Sequence, residues 1–161
     1  MAGSKKKQIR VYADTSVFGG IFDEEFDNAS KSFFREVQEK KFVLITSELV
    51  REELSAAPEK VQKHFEKMLA SCEISEINTE ALELQEAYLK EEIVSDKYST
   101  DALHVALATV STARMIISWN FKHIVNYQKI PLYNAVNKLK GYKAIEIYSP
   151  LEVIEDENEN V

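Results

Sequence analysis

Three acidic residues occupy positions where chemistry commonly gathers in folds of alternating strands and helices. Asp14 directly follows the apolar run IRVYA, and Asp101 falls in the first turn of a predicted helix. Glu53 lies on a predicted helix over residues 47–56, and at 100° per residue it flanks the apolar side of that helix. A carboxylate placed there is costly unless it is paired with a cation, bound to a metal or protonated. Taken singly, Asp14 could equally form a turn, Asp101 could cap its helix, and Glu53 could form a salt bridge.

Short β-rich runs alternate with longer helical patterns along the chain. The predicted strands cover residues 9–13, 42–46, 72–77, 115–118 and 144–148. The predicted helices cover residues 28–40, 47–56, 58–71, 79–92, 99–113 and 131–140, with a short one after Ser149. Ser47 and Ser99 stand at N-cap positions, Pro58 stands at a first helical position, and Ser149 and Glu152 have the spacing of a capping box.

This alternation predicts a single α/β domain of three layers, with a mostly parallel central sheet of four to five strands flanked by helices. Ligands of such open sheets bind at the carboxyl ends of the strands. Asp14 follows the first predicted strand, and Asn120 follows a late one. We expect the domain to span residues 9–153, between a flexible tail at 1–8 and an acidic tail at 154–161.

Composition narrows the class of protein. The chain has 161 residues, of which 45% are apolar and 29% charged, as in one soluble globular domain. Its single cysteine, Cys72, excludes an internal disulfide framework and a cysteine-based zinc cage, and indicates a reducing compartment. No apolar run approaches the roughly 20 residues that a membrane span needs, and the amino-terminal segment lacks the apolar core of a signal peptide. We therefore expect a cytoplasmic protein with no membrane partner.

The charge is unevenly distributed. A net charge of −7 argues against a nucleic-acid partner, yet residues 102–145 contain six basic residues and no acidic one. Such a block predicts a positive surface that meets an anionic partner such as RNA. The alternative is a basic helix face that arises by chance.

Four motifs in a fixed order carry a resemblance to a known family: YADTSV, ITSELVREEL, TDALHVALA and ISWNFKHI. With them the chain resembles PIN domains, and within these the VapC-like ribonuclease toxins of type II toxin–antitoxin systems. The resemblance implies that Asp14, Glu53 and Asp101 are catalytic residues that hold a divalent metal. The fourth position of the set, often Asp, is Asn120 here, and the residue three further on, acidic in many members, is His123.

The residue types agree with such chemistry. Crowded carboxylates repel one another unless a cation neutralises them, and Mg²⁺ and Mn²⁺ prefer carboxylate oxygens. With Asn120 the site has three formal charges instead of four, so we expect one tightly held ion and a second that arrives with the substrate phosphate. Together with these residue types, the resemblance implies a divalent-metal-dependent endoribonuclease that hydrolyses RNA phosphodiester bonds as the toxin of a toxin–antitoxin pair.

Substrate contacts are expected from two further places. Thr15 and Ser16 could donate hydrogen bonds to the scissile phosphate, or alternatively cap the turn that follows. Lys122 and His123 could contact the nucleic-acid backbone. The other two histidines, at positions 64 and 104, are expected on ordinary helix faces.

Other functions fit less well. A phospho-acceptor receiver domain needs paired acids after its first strand, and a phosphatase with an aspartyl nucleophile needs Asp-x-Asp, whereas Asp14 is followed by Thr15 and Ser16. The remaining alternative is a catalytically degenerate PIN-like module that binds RNA or a protein partner. Asn120 and His123 keep that alternative open.

An aromatic series suggests protein partners. Phe18, Phe22 and Phe26 are spaced four apart, so a helix over 17–27 would align them in one stripe. Such a stripe would be buried in the core or in a homodimer, or would form a groove for the amphipathic helix of a small antitoxin.

Overall fold

The computed structural model describes residues 8–155, and its central feature is a parallel sheet of five strands. The strands are β1 Ile9–Ala13, β2 Phe42–Ser47, β3 Glu73–Ser75, β4 Met115–Ile117 and β5 Glu146–Tyr148. Their order in the sheet is β3-β2-β1-β4-β5, and each neighbouring pair is parallel. The predicted α/β fold is therefore confirmed. The predicted tails fall mainly on residues 1–7 and 156–161, which lie outside the described residues.

Eight α-helices in the described part of the chain cover the sheet. They are α1 Thr15–Gly20, α2 Asp27–Gln38, α3 Glu48–Leu54, α4 Glu59–Leu69, α5 Thr79–Lys90, α6 Ser99–Val110, α7 Ile130–Leu139 and α8 Pro150–Val153. None of the helices between residues 8 and 155 is long and apolar enough to cross a bilayer. The core includes β1 and α6, where Val11, Tyr12 and Val105 are fully buried.

Local signals located most helix ends correctly. Ser47 caps α3 by accepting a hydrogen bond from the backbone of Val50, and Ser149 forms the predicted capping box with Glu152. The N-cap prediction for Ser99 is wrong, because a 3₁₀ turn at Asp96–Tyr98 leads directly into α6 and makes Ser99 its first residue. Pro58 is the N-cap of α4 and not its first residue.

The predicted aromatic stripe over 17–27 is wrong. Helix α1 ends at Gly20, and turn hydrogen bonds follow it, so the three phenylalanines do not share a helix face. Phe18 is fully buried, Phe22 is 40% exposed, and Phe26 stacks on Trp119 with ring centres 4.3 Å apart. Gly20, at the end of α1, has no room for a Cβ, which would lie 2.9 Å from Nε1 of Trp119.

Strand order creates a switch point between β1 and β4. From β1 the chain continues to β2 and β3 on one side, and it then crosses to β4 and β5 on the other. Right-handed crossovers place the connecting helices on opposite faces for these two directions. A crevice therefore opens at the carboxyl ends of β1 and β4, where open α/β sheets bind their ligands.

Only part of the basic block at 102–145 lies on the side of that crevice. Arg114 directly precedes β4, at the amino ends of the strands, and forms an ion pair with Glu146 of β5. Helix α7 connects the end of β4 to the start of β5, so its last turn, with Lys138, approaches the amino ends of the strands as well. Only Lys122 and Lys129 precede α7 on the side of the crevice.

Candidate active site

Asp14 lies at the switch point and is almost fully buried, with 4% of its surface exposed. It is the N-cap of α1, since its Oδ1 accepts hydrogen bonds from the backbone N–H of Ser16 at 3.1 Å and from the Ser16 hydroxyl at 2.5 Å. Its Oδ2 accepts from the hydroxyl of Ser118, directly after β4, at 2.5 Å. The hydroxyl of Ser16 also accepts from the backbone N–H of Trp119 at 2.9 Å. Both strands of the switch point thus fix this carboxylate.

Burial raises the pKa of Asp14, because a charged carboxylate loses its hydration in the interior. The nearby charge of His104 and the hydroxyls of Ser118 and Ser16 oppose this rise, whereas the charge of Glu53 adds to it. A cation beside Asp14 would relieve the cost of its ionised form. This is the electrostatic condition for a metal ligand.

Glu53, on α3, presents one carboxylate oxygen to two donors. Its Oε1 accepts from the hydroxyl of Thr15 at 2.7 Å and from Nε2 of His104 at 2.5 Å. Its side chain is 35% exposed, and among the described residues its other oxygen, Oε2, has no hydrogen-bond partner. Burial by itself would raise the pKa of Glu53, but the hydrogen bond and charge of His104, together with Thr15, lower it overall. These contacts favour the ionised form of Glu53, and no described residue occupies its Oε2.

His104 is the residue that sequence reasoning missed. It was expected on an ordinary helix face, yet it is only 2% exposed and lies on α6 between Glu53 and the buried hydroxyl of Tyr12. Its position was detectable: it falls three residues after Asp101, on the same helix face, within an apolar segment. His64 is likewise not on an open face, because its ring packs on Phe34 with centres 4.6 Å apart.

Asp101 has no described contact with Asp14 or Glu53. It lies in the first turn of α6, is partly exposed, and is within electrostatic reach of His123. Among residues 8–155, no three His, Cys, Asp or Glu side chains are close enough to form a preassembled metal cluster. The structure thus brings Asp14 and Glu53 into electrostatic contact around Thr15 and His104, while convergence of Asp101 with them stays a prediction.

The loop after β4 uses its polar side chains to fix its own shape. Asn120 Oδ1 accepts from the backbone N–H of His123 at 2.9 Å, so the side chain caps a turn. The His123 ring is 8% exposed and lies on Tyr98 with ring centres 3.9 Å apart, and burial lowers its pKa. Contact of this ring with a nucleic-acid backbone would require it to leave that stack. Lys122 is exposed, with its Nζ 5.5 Å from the centre of the Tyr98 ring.

The donors present fit a hard divalent cation. They are carboxylate and hydroxyl oxygens, which Mg²⁺ and Mn²⁺ prefer, and the described part of the site contains no thiol. Glu53 keeps one oxygen free, and Asp14 is a buried charge that needs a counter-charge. Mg²⁺ also keeps several waters of its own, so two protein carboxylates already form a reasonable starting set.

Known proteins share the fold of this chain. The family model of the PIN domain matches residues 11–120, more than half of the chain. The structure is similar to VapBC2 from Rickettsia felis bound to a DNA fragment from their promoter, with 15% identity, a TM-score of 0.56 and coverage of 88% of this chain and 98% of that one. It is also similar to a toxin–antitoxin complex from Klebsiella pneumoniae, with 16% identity, a TM-score of 0.55 and coverage of 74% and 93%. Comparison with curated protein sequences gives no match. The resemblance noted from the four motifs is confirmed, and the chain belongs to the PIN-domain family.

Proposed function

We propose that the protein is a divalent-metal-dependent endoribonuclease that hydrolyses RNA phosphodiester bonds. The observation that carries this proposal is the meeting of Asp14 and Glu53 at the switch point of the sheet. Asp14 is buried there among hydroxyl donors, and Glu53 has one oxygen without a partner among the described residues. Acidic oxygen ligands in a crevice at strand ends are a common basis of metal-assisted hydrolysis.

Each site residue has a distinct task in this proposal. Asp14 and Glu53 hold Mg²⁺ or Mn²⁺, and Asp101 completes the set from the first turn of α6. When bound, the cation would supply an activated water and neutralise charge on the phosphate. Ser16 and Ser118 keep the Asp14 carboxylate in place, since both hydroxyls donate to it. Thr15 keeps Glu53 in place in the same way.

Phosphate contacts are assigned to the exposed residues at the crevice. Lys122 lies just beyond the carboxyl end of β4, and its ammonium group can attract a phosphate of the RNA. Asn120 keeps its turn-capping role beside the site, and His123 supports Lys122 through the Tyr98 stack. The two hydroxyls expected to contact the scissile phosphate are both engaged, since Thr15 donates its one proton to Glu53. Ser16 already donates to Asp14 and accepts from Trp119.

We further propose that the protein acts in the cytoplasm as the toxin of a toxin–antitoxin pair. The two solved structures of similar fold are described as VapBC2 and as a toxin–antitoxin complex. A small antitoxin protein and a second copy of the chain are the expected protein partners. A surface for the antitoxin is available where Phe22 is 40% exposed beside α4.

A second candidate function rests on the loop after β4. Asn120 adds no charge to the site, and its side-chain oxygen is engaged by the turn. If Asp101 does not join Asp14 and Glu53, two carboxylates are left, and the domain would bind RNA or a protein partner without cutting RNA. The two candidates differ in one measurable property, which is metal-dependent hydrolysis.

The experiment compares neighbouring glutamates on α3. Glu53→Gln removes the proposed ligand, and Glu52→Gln is the matched control, since Glu52 is exposed and lies next to Glu53 in sequence. A mixed RNA substrate is incubated with Mg²⁺ or Mn²⁺, or with EDTA. We expect cleavage by the wild type and by Glu52→Gln, and loss of cleavage by Glu53→Gln. RNA binding without any cleavage in either metal would favour the binding module instead.

A further inference from the structure

A buried series of hydrogen bonds connects the core of the protein to the carboxylate of Glu53. It begins at the backbone N–H of Val50, which donates to the hydroxyl of Ser47 at 3.2 Å. The Ser47 hydroxyl lies 2.8 Å from the hydroxyl of Tyr12, which in turn lies 2.8 Å from Nδ1 of His104. The series ends at Glu53, whose Oε1 is 2.5 Å from Nε2 of His104. It connects residues of four elements of the fold, β1, β2, α3 and α6, to one carboxylate oxygen.

The carboxylate of Glu53 fixes the direction of the last hydrogen bond in this series. An ionised carboxylate can only accept, so Nε2 of His104 must carry the proton that faces Glu53. When the imidazole is neutral, Nδ1 accepts the hydroxyl proton of Tyr12, and when it is cationic, Nδ1 donates to the Tyr12 oxygen. In either form Nε2 carries the proton that faces Glu53. Burial raises the pKa of Tyr12 well above its usual value. The Tyr12 oxygen can in turn accept from Ser47, whose own oxygen receives the backbone donor.

Burial makes the arrangement rigid. Tyr12 is 0% exposed, Ser47 1% and His104 2%, so water does not compete for these groups. Tyr12 lies on the central strand and also packs edge-on against the His104 ring, with centres 5.9 Å apart. The position of Nε2 is therefore set by the core and not by the exposed surface of α6.

We propose that His104 is a positioning residue that presents Glu53 to the divalent cation. Its Nε2–H and the hydroxyl of Thr15 both hold Oε1, which fixes the carboxylate plane and leaves Oε2 for the metal. This inference rests on the proposed function, since it assigns Glu53 as a metal ligand. Partners that orient a ligand in this way typically change metal affinity by 10- to 100-fold when they are removed.

The test measures Mn²⁺ affinity by calorimetry on the full chain, beside thermal stability and RNA cleavage. His104→Ala removes the donor, and we expect at least a roughly 10-fold weaker affinity for Mn²⁺. His104→Gln is the conservative variant, because its amide N–H can replace Nε2–H, and it should recover most of that affinity. His64→Gln is the matched control, a histidine on α4 outside the series, and it should leave Mn²⁺ affinity unchanged.

A purely structural role for His104 would give a different result. In that case His104→Ala and His104→Gln would change stability while Mn²⁺ affinity stayed at the wild-type value, which would overturn the inference. If His104→Ala does not fold, Tyr12→Phe takes its place, because it frees Nδ1 without removing the ring. We expect Tyr12→Phe to weaken Mn²⁺ binding by a few-fold and to leave the tautomer of His104 less well defined.

Nuclear magnetic resonance separates this inference from the proposed function. The ¹⁵N shifts of His104 in the metal-free wild type should show a proton on Nε2, and a proton on Nδ1 alone would overturn the inference without any metal. If the wild type binds no Mn²⁺ and cuts no RNA, the proposed function fails and the presentation of Glu53 to a metal fails with it. If Glu53→Gln abolishes cleavage but His104→Ala binds Mn²⁺ normally, only the inference about His104 fails.

Discussion

Adding a methyl group at Gly20 should destabilise the folded protein far more than adding one at its neighbour Gly19. A Cβ at Gly20 would lie 2.5 Å from the hydroxyl of Ser30 and 2.9 Å from Nε1 of Trp119, whereas a Cβ at Gly19 meets nothing within 4 Å. Contacts under 3.0 Å force the surrounding side chains to move. The two groups that Gly20→Ala would push apart are themselves joined, since Trp119 Nε1 donates to Ser30 at 2.8 Å in the core.

The cost can be estimated from these contacts. Overpacking a well-packed core by a methyl group costs about 1–3 kcal/mol. A buried donor left without its partner costs about 1–3 kcal/mol, and part of that is recovered if Trp119 and Ser30 shift together. We therefore expect Gly20→Ala to lower the free energy of unfolding by about 2–4 kcal/mol. Gly19→Ala should raise it by up to about 1 kcal/mol, because alanine loses less backbone entropy than glycine in a helix.

The assay is urea denaturation followed by intrinsic fluorescence. Trp119 is the only tryptophan of the chain, so the emission reports directly on the side chain that Gly20→Ala displaces. The expected result is a lower midpoint for Gly20→Ala with an altered native emission, and an unchanged or higher midpoint for Gly19→Ala. Equal midpoints for the two variants would refute the close packing of Trp119 on α1.

Three further predictions concern stability and RNA binding. Burial lowers the pKa of His64 to about 4, so the unfolded state binds an extra proton between pH 6.5 and 4. The free energy of unfolding should fall over that window by about 1–2 kcal/mol, less than the full shift would give because solvent screens the partly exposed ring, and His64→Phe should flatten the profile in denaturation at several pH values. Tyr88→Phe removes the buried hydrogen bond to Asn137 and should cost about 1–2 kcal/mol by the same assay. Lys122→Ala should reduce the salt slope of RNA binding in EDTA by about 0.7, while Lys140→Ala, at the far end of α7, should not change it in anisotropy titrations.

The fold could be predicted because its signals are local. The apolar runs at 9–13 and 42–46 match β1 and nearly all of β2, and the serine caps at Ser47 and Ser149 need only a few neighbouring residues. The wrong N-cap at Ser99 has a local cause as well. A 3₁₀ turn and an α-helix have similar sequence preferences, so their junction leaves no clear mark.

The candidate site was only partly predictable because its contacts are distant in sequence. Asp14 and Glu53 could be picked out by their positions at element ends and faces, but His104 joins partners that are 51 and 92 residues away. Periodicity places a side chain on a face and does not say what lies opposite. The basic block shows the same limit, since counting charges along the chain ignores that α7 leads from the carboxyl end of β4 to the amino end of β5.

Asn120 illustrates how one residue type serves two purposes. Its amide oxygen caps the turn at His123, so its presence in the motif is explained by loop shape alone. An aspartate there could cap the turn with one oxygen and offer the other to a cation. If position 120 lines the site, the second carboxylate oxygen of an aspartate there would bind the cation. Mn²⁺ titration of Asn120→Asp, expected to bind more tightly than the wild type, addresses it.

The central claim is that Asp14 is a metal ligand of a ribonuclease, and one measurement tests it most directly. RNA cleavage and Mn²⁺ binding are measured together for the wild type and Asp14→Asn, with EDTA as the metal-free reference. Asp14→Asn keeps the shape of the side chain, and losing a buried charge offsets the weakened hydrogen bonds, so the melting temperature should change little. The account predicts Mg²⁺- or Mn²⁺-dependent cleavage by the wild type, and loss of both cleavage and Mn²⁺ binding in a folded Asp14→Asn. Equal cleavage by the two proteins, or cleavage that persists in EDTA, would contradict it.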